Sequence, residues 1–426
     1  MNSKLILVCI LFTHNAVMYS QQYSIDSLKN EYSFINWKAN KIKLAENSPA
    51  FKKIYQKLHK VVQGEQEKIH IFHIGGSHIQ ADIYSNRLRS YLQHMSTTAK
   101  GQRGFIFPYR MAETNNPSNY EVDFDGEWQG YRCSIRKDSI AWGMSGVTAK
   151  FKDSLANIKI NANYLNYTKN TYQFDKIRVF YNTWSDGYEV LIKDTSLVKN
   201  FVINQQANFI EYQLNKSVET IEVQVCKIKD TVDAEFLMMG LELMNDSKGI
   251  EYTTIGVNGA SFSYYNRSAY FTQQLSLYKP DLFIVSVGTN DAYHPDFSPK
   301  EFRRNYENFI QDILNINPDC AILLTVPNDS YYKKQYPNPR TRISRAIIYD
   351  LAKKYKMAVW DFYEIMGGFN SSKDWYANKL MPNDRIHFTH KGYNLKADLL
   401  LQALSNSWEK ELQLEHNSIL KQIVNE

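Results

Sequence analysis

Four short segments of this 426-residue chain carry residue types able to do acyl-transfer chemistry. The first is His73-Ile74-Gly75-Gly76-Ser77-His78. A serine after two glycines, on a tight turn between a strand and a helix, exposes its hydroxyl. The N–H groups of the helix start then face a developing oxyanion. Alone, Gly-Gly-Ser reads more readily as a turn followed by an N-cap. The second, Val257-Asn258-Gly259-Ala260-Ser261, puts a glycine where a backbone N–H can come close to a ligand; alone it is an ordinary helix-start turn. The third, Val287-Gly288-Thr289-Asn290-Asp291, offers an amide that can donate to an oxyanion or close an Asx turn. The fourth is Asp384-Arg385-Ile386-His387. An Asp three residues before a His can accept the Nδ1 hydrogen bond, fix the tautomer and leave Nε2 to take a serine proton.

Competing residues remain at this level. His390 could stand in for His387, although only His387 has an Asp three residues ahead of it. Asp361, at a strand end, could replace Asp384. His73 reads as a core residue. His78 reads as a side chain turned away from Ser77, behind the site or against a substrate.

Each of the four segments follows an expected strand of an α/β unit, and ligand sites of open α/β sheets form at that edge. Lys68–Ile74 (KIHIFHI) is a short apolar strand, with helical spacing over Ile79–Gln93 after it. From Tyr252–Val257 a βα rhythm resumes. A helix is expected over Ala260–Tyr278, a strand over Asp281–Val287, a helix over Lys300–Ile316 and a strand over Ala321–Val326. A helix over Ile343–Tyr355, a strand over Ala358–Phe362 and a helix over His390–Leu412 follow. Residues 24–66 read as one or two helices. Between these blocks the texture changes to short alternating runs, Lys176–Tyr181, Glu189–Ile192, Phe209–Leu214, Thr220–Val225 and Phe236–Met244, broken by Asn, Asp, Ser and Gly. That pattern predicts an antiparallel β-sandwich. The expected organisation is a leader at 1–20, helices and the first part of the α/β domain at 24–100, an inserted β-sandwich at 101–248, and the rest of the α/β domain at 249–426.

The formal net charge of +6 is spread along the chain, with no basic block and no nucleic-acid motif, so nucleic acid is not expected as a partner. Lys4 followed by the apolar run Leu5–Phe12 and by Val17–Ser20 reads as a secretory leader cut near Ser20. The run is too short for a membrane span, and none is expected in the mature chain. Cys133, Cys226 and Cys320 would then remain; an odd number leaves at least one free thiol, and spacing does not decide whether Cys133 and Cys226 pair. No metal-ligand cluster is visible. The 30 Tyr and 7 Trp fit either β-structure or stacking on sugars, with Trp142 and Trp184 as candidate sugar contacts.

Taken together, the order Ser, Gly, Asn, Asp-x-x-His resembles the four motif blocks of the SGNH (GDSL-like) hydrolases, over about 68–95 and 252–412. The resemblance implies a three-layer α/β/α sandwich with a parallel sheet. It also implies a carboxylic ester hydrolase with Ser77 as nucleophile, His387 as base and Asp384 as its orienter, and no metal or organic cofactor. The oxyanion hole would be the N–H of Ser77, the N–H of Gly259 and the Asn290 side chain. Gly76 departs from the usual Gly-Asp-Ser, which would remove hydrogen bonds from the nucleophile turn. Within the family, Gly75–Asp82 (GGSHIQAD) is similar to the Ser-His-Ile-Gln-Ala-Asp stretch of bacterial peptidoglycan O-acetylesterases. Those enzymes are exported and carry a carbohydrate-binding-like β-insert after the first block. This narrower resemblance implies removal of the muramoyl C6 O-acetyl group, in the periplasm. An esterase or acetyltransferase acting on another polysaccharide, and a non-catalytic glycan-binding protein, are the alternatives. Oligomeric state is not legible.

Overall fold

The computed structural model describes residues 25–46, 48–164, 171–183, 187–228 and 234–425. The expected leader and Trp184 lie outside them.

Six strands form one sheet: β1 (Ile42–Leu44), β2 (Lys68–Gly75), β3 (Gly249–Gly256), β4 (Leu282–Ser286), β5 (Ala321–Thr325) and β6 (Ala358–Trp360), in the spatial order β1-β6-β5-β4-β2-β3. All neighbours are parallel except β1, which runs antiparallel to β6. These strands read as near-continuous apolar runs because both faces are covered. In β4, Phe283 and Val285 enter one core while Leu282 and Ile284 enter the other. The second core is completed by α1 (Pro49–Val62), α3 (Tyr84–Gln93) and α6 (His390–Glu411), and the first by α4 (Pro299–Ile316) and α5 (Thr341–Lys354). Helix, sheet, helix: the expected three layers are present. Pro299 at the first helical turn of α4, with Ser298 accepting from the Glu301 N–H at 3.3 Å, starts that helix as its sequence suggests.

Two antiparallel sheets lie in the chain between β2 and β3. The larger joins Val198–Asn204, Phe209–Val218, Phe174–Thr183, Phe236–Met244, Val147–Phe151 and Trp128–Arg132, with Gly104–Ile106 also paired to Phe236–Met244. The smaller joins Glu121–Phe124, Leu155–Asn161, Thr220–Lys227 and Tyr188–Ile192. Their inner faces and the α4/α5 side of the parallel sheet form one continuous hydrophobic core. Trp142, a candidate sugar contact, is 3% exposed and belongs to this core. Cys133, Cys226 and Cys320 are all free thiols, so Cys133 and Cys226 do not pair. Among the described residues no helix is long and apolar enough to cross a membrane.

Three expectations need correction. The helix expected over Ile79–Gln93 is two: α2 (Ser77–Gln80) and α3, broken at Asp82, which takes a left-handed φ of 47°. The cause is a buried cluster. The Asp82 carboxylate accepts from Arg89 (3.1 Å), Ser85 (2.6 Å) and Asn119 (2.7 Å). A continuous helix would pull that carboxylate away from partners it needs when buried. The helix expected over Ala260–Tyr278 is also two short ones, Phe262–Tyr265 and Phe271–Leu275. Between them Arg267 donates to the Cys133 and Ile135 carbonyls, and Tyr270 N–H donates to the Trp142 carbonyl, so the chain bends to fit the β-insert. Finally, residues 24–66 hold β1 as well as the helices Ile25–Glu31 and α1, because Ile42–Leu44 pairs with the otherwise open edge of β6.

Candidate active site

Sheet register brings the segments together. Gly75, the last residue of β2, lies level with Gly256 of β3 and Ser286 of β4. The turns carrying Ser77, Gly259 and Asn290 therefore leave the sheet side by side. Tyr265 Oη and the Val257 N–H both donate to the Gly75 carbonyl, at 2.5 and 3.2 Å, which ties the Ser77 turn to the Gly259 turn. A Cβ added at Gly76 would stand 3.1 Å from Asn290 Nδ2 and 3.8 Å from the Ala260 and Val257 carbonyl oxygens. The Asn290 amide thus packs where a larger residue would place its side chain, and Gly76 is the residue that allows this approach.

The hydrogen-bond donors around this point are spare. Asn290 Nδ2 donates one hydrogen to the Ala260 carbonyl at 2.9 Å, which aims the amide and leaves its second hydrogen over. The N–H groups of Ser77 and Gly259 have no hydrogen-bond partner among the described residues. Gly259 adopts φ +79°, a conformation favouring glycine, with nothing closer than Ser134 at 3.7 Å to where a Cβ would be.

The fourth segment reaches over from the far end of the chain. Ser77 Oγ and His387 Nε2 are 2.8 Å apart, and His387 Nδ1 is 2.9 Å from Asp384 Oδ2. Asp384 Oδ1 also accepts the backbone N–H groups of Ile386 (2.8 Å) and His387 (3.0 Å). Burial opposes ionisation of this carboxyl, but the hydrogen bonds from the His387 ring and the two backbone N–H groups outweigh it and hold Asp384 well below the usual carboxylate range. An ionised Asp384 accepts from Nδ1–H and leaves the Nε2 lone pair facing Ser77. The loop is pinned from outside by Asn328, donating to the Ile386 carbonyl at 3.0 Å, and by the Tyr331 N–H, donating to the Arg385 carbonyl. Such an arrangement can generate a serine nucleophile, with three donors at hand for the oxyanion.

The competitors lie elsewhere. Asp361 is fully buried and caps the helix Phe362–Met366 while accepting from Arg345 and Tyr349. His390 is exposed on the first turn of α6 beside Asn394. His73 is in the core, hydrogen-bonded to Tyr252, Ser286 and Tyr84. His78 is buried behind the site: Nδ1 meets Tyr393 Oη at 3.0 Å, and its ring centroid lies 5.3 Å from that of His387. Burial, and then the nearby buried Lys396, keep it neutral.

Gln80, within the GGSHIQAD stretch, carries no signal of its own in the sequence. Its Oε1 accepts the Asn258 N–H at 2.7 Å, and its Nε2 donates to Thr114 Oγ1 (3.0 Å) and to the Asn115 carbonyl (2.9 Å). Asn258 Nδ2 donates to the same two residues. Gln80 therefore couples the turn before Gly259 to the β-insert.

Asp291, beside Asn290, is half-buried as a residue, but its carboxyl is enclosed, with Oδ2 unpartnered and Oδ1 accepting from the Phe262 N–H at 3.3 Å; this desolvation raises its pKa to about 7. In the unfolded chain it would titrate near pH 4. Stability is then full below about pH 4 and falls as the pH rises through about 7, because only the folded state holds the proton in that window. Asp291→Asn should melt above the wild type at pH 8, with the gap closing towards pH 4; an equal gap at both pH values would contradict the assignment.

Comparison with known proteins gives the same outline. Residues 239–395 match the GDSL-like Lipase/Acylhydrolase family. A solved structure of a peptidoglycan O-acetylesterase superposes with a TM-score of 0.66 at 18% identity, covering 87% of this chain and 99% of that one. A lipase/acylhydrolase from Enterococcus faecalis (TM-score 0.31, 19% identity, 39% of this chain and 79% of that one) and an acetyl xylan esterase (0.30, 21%, 38% and 83%) also match. Among curated proteins none matches the sequence.

Proposed function

We propose that the chain, whose residues 239–395 match the GDSL-like acylhydrolase family, is a carboxylic ester hydrolase of the SGNH type that removes O-acetyl groups from peptidoglycan, with Ser77 as nucleophile, His387 as general base and Asp384 as its orienter. The observation that carries the reading is the unbroken line Ser77 Oγ, His387 Nε2, His387 Nδ1, Asp384 Oδ2, with separations of 2.8 and 2.9 Å, ending beside three spare donors.

Ser77 attacks the acetyl carbonyl while His387 takes its proton. The N–H groups of Ser77 and Gly259 and the Asn290 amide receive the oxyanion. Asp384 stabilises the imidazolium. His387 then protonates the departing sugar oxygen, and the acetyl group stays on Ser77. A water, deprotonated by His387, hydrolyses the acetyl-enzyme and restores the serine. His387 is 41% exposed on its side chain, so water reaches it directly. No step needs a metal or organic cofactor.

The substrate assignment draws on three supports: the GGSHIQAD stretch, the two antiparallel sheets between β2 and β3, and the fold shared with a peptidoglycan O-acetylesterase over most of both chains. We assign residues 101–248 to the insert as a unit, and export to the periplasm rests on the leader pattern of residues 1–20. The test is acetate release from O-acetylated peptidoglycan, with acetylated xylan beside it. Release at least tenfold faster from peptidoglycan is expected; release from xylan alone would keep the esterase and discard this substrate.

A further inference from the structure

We propose that Arg267 is a positioning residue for ester hydrolysis: it fastens the insert loop 133–138 against Gly259 and so holds the Gly259 N–H where an oxyanion needs it. The proposal deepens the reading above and rests on it for the role of Gly259, but not for the contact between loop and turn.

A hydrogen-bond donor stabilises an oxyanion best when it is aimed before the reaction begins. One flank of the Gly259 turn is fixed by Gln80, which accepts the Asn258 N–H at 2.7 Å. Gly259 itself has no side chain to anchor it, and glycine takes either sign of φ with ease. What bounds it on the other flank comes from the insert. A Cβ built on Gly259 would meet Ser134 Cβ at 3.7 Å and Ser134 Oγ at 3.8 Å, and nothing else within 4 Å beyond its own chain neighbours. The same neck of the insert returns at Gly146, whose carbonyl accepts the Cys133 N–H at 2.9 Å. A Cβ there would stand 3.3 Å from Val257 Cγ2 and 3.6 Å from Tyr265 Cε1, and these are the two residues that donate to the Gly75 carbonyl. The neck is thus seated against both the Gly259 turn and the groups that tie it to the Ser77 turn.

Ser134 has no strand ladder to hold it. The strand Trp128–Arg132 ends two residues before it, and a run of turns follows. Arg267 supplies the restraint. Its Nη1 donates to the carbonyls of Cys133 (3.1 Å) and Ile135 (3.3 Å), the residues on either side of Ser134, and its Nη2 donates to the Asp138 carbonyl. The guanidinium carbon lies 4.7 Å from the centroid of the buried Trp142 ring, which fixes the fork from one face. A planar fork reaches three carbonyls at once; the compact ammonium of a lysine does not. Tyr265, two residues before Arg267, donates to the Gly75 carbonyl, so the clasp is anchored on the segment that it serves. The bend between the helices Phe262–Tyr265 and Phe271–Leu275 is what brings Arg267 to the loop.

Arg267→Ala should lower kcat on p-nitrophenyl acetate by about 10–100-fold with KM within about twofold, the scale of loss when a remote change misplaces a catalytic group. The rate is taken per serine that reacts with a fluorophosphonate, which removes unfolded protein from the count. Arg267→Lys should recover little of the loss. Guanidinium at about 20 mM, far below its denaturing range, should raise kcat of Arg267→Ala several-fold, and the same concentration of ammonium should not. Ser134→Gly keeps all three carbonyls and should also lower kcat; combined with Arg267→Ala it should add little, because both act through one contact. Losses that multiply, or a kcat indifferent to guanidinium, would overturn the proposal. A readout free of activity comes from full-length protein labelled with [15N]glycine. The Gly259 amide resonance should move in Arg267→Ala and in Ser134→Gly, while that of exposed Gly64, at the end of α1, stays in place. An unmoved Gly259 resonance would remove the clasp, and a moved resonance with unchanged kcat would remove its catalytic role alone. Failure of the esterase reading looks different: Ser77→Ala would then hydrolyse as fast as wild type, and the clasp would lose the reaction it serves.

Discussion

Ser77→Ala should lower acetyl-ester turnover by about 10⁴-fold, His387→Ala by a similar factor, and the double variant by little more than either alone. The two groups act as a unit. With Ser77 removed, His387 has no hydroxyl to deprotonate; with His387 removed, the Ser77 hydroxyl loses its one histidine partner, since neither of the other histidines near it is hydrogen-bonded to Ser77. His78 Nδ1 is held by Tyr393, and His73 is hydrogen-bonded within the core. Initial rates on p-nitrophenyl acetate, measured for the two single variants and the double, supply the cycle. Losses that multiplied would mean that Ser77 and His387 contribute independently, and the 2.8 Å contact would then have no catalytic meaning. A residual rate above that in water is expected, since the N–H groups of Ser77 and Gly259 and the Asn290 amide, the proposed oxyanion donors, survive in all three variants.

Asn290→Ala should cost about 10²–10³ in kcat with little change in KM, the effect of deleting one pre-aimed oxyanion donor. The structure gives two reasons to place it at the upper end. The amide is fixed by the Ala260 carbonyl at 2.9 Å, so its remaining hydrogen is pre-oriented. It also packs against Gly76, so truncation opens space beside the Ser77 turn. Steady-state kinetics separate the outcomes: a rise in KM at constant kcat would make Asn290 a ground-state binding group and remove it from the hole.

Much of this site is legible in the sequence because Ser77, Gly259 and Asn290 each sit just beyond a strand; the Asp384–His387 loop, expected there too, instead follows the helix Ser372–Ala377. Strands buried on both faces, such as Leu282–Ser286 and Ala321–Thr325, announce themselves as apolar runs. The geometry around Asp384 and His387 was legible because a three-residue spacing needs only one local loop. What escaped depends on contacts distant in sequence. The break at Asp82 is made by an ion pair with Arg89 and by Asn119 from the insert, and no periodicity reports it. The bend between Tyr265 and Phe271 answers to carbonyls of the insert. Ile42–Leu44 is a strand only because β6 offers an open edge. The role of Gln80 was hidden in the same way: a glutamine two residues after an isoleucine-flanked turn says nothing until Asn258 and Thr114 are folded onto it.

The strand that delivers Ser77 has an awkward place in time. In the finished sheet β2 has two neighbours, β3 and β4, and both follow it in the chain across the whole insert. At ordinary rates of synthesis, roughly 10–35 s separate the emergence of β2 from that of β3, about 170 residues later. Throughout that interval KIHIFHI is an apolar segment with no sheet partner, of the kind that pairs with the wrong chain. Closing so long a loop is also slow, since contacts far apart in sequence form late. The nucleophile turn therefore cannot reach its final setting before the chain on both sides of the insert has been brought together, and until then the catalytic strand has to be shielded by something other than its own sheet.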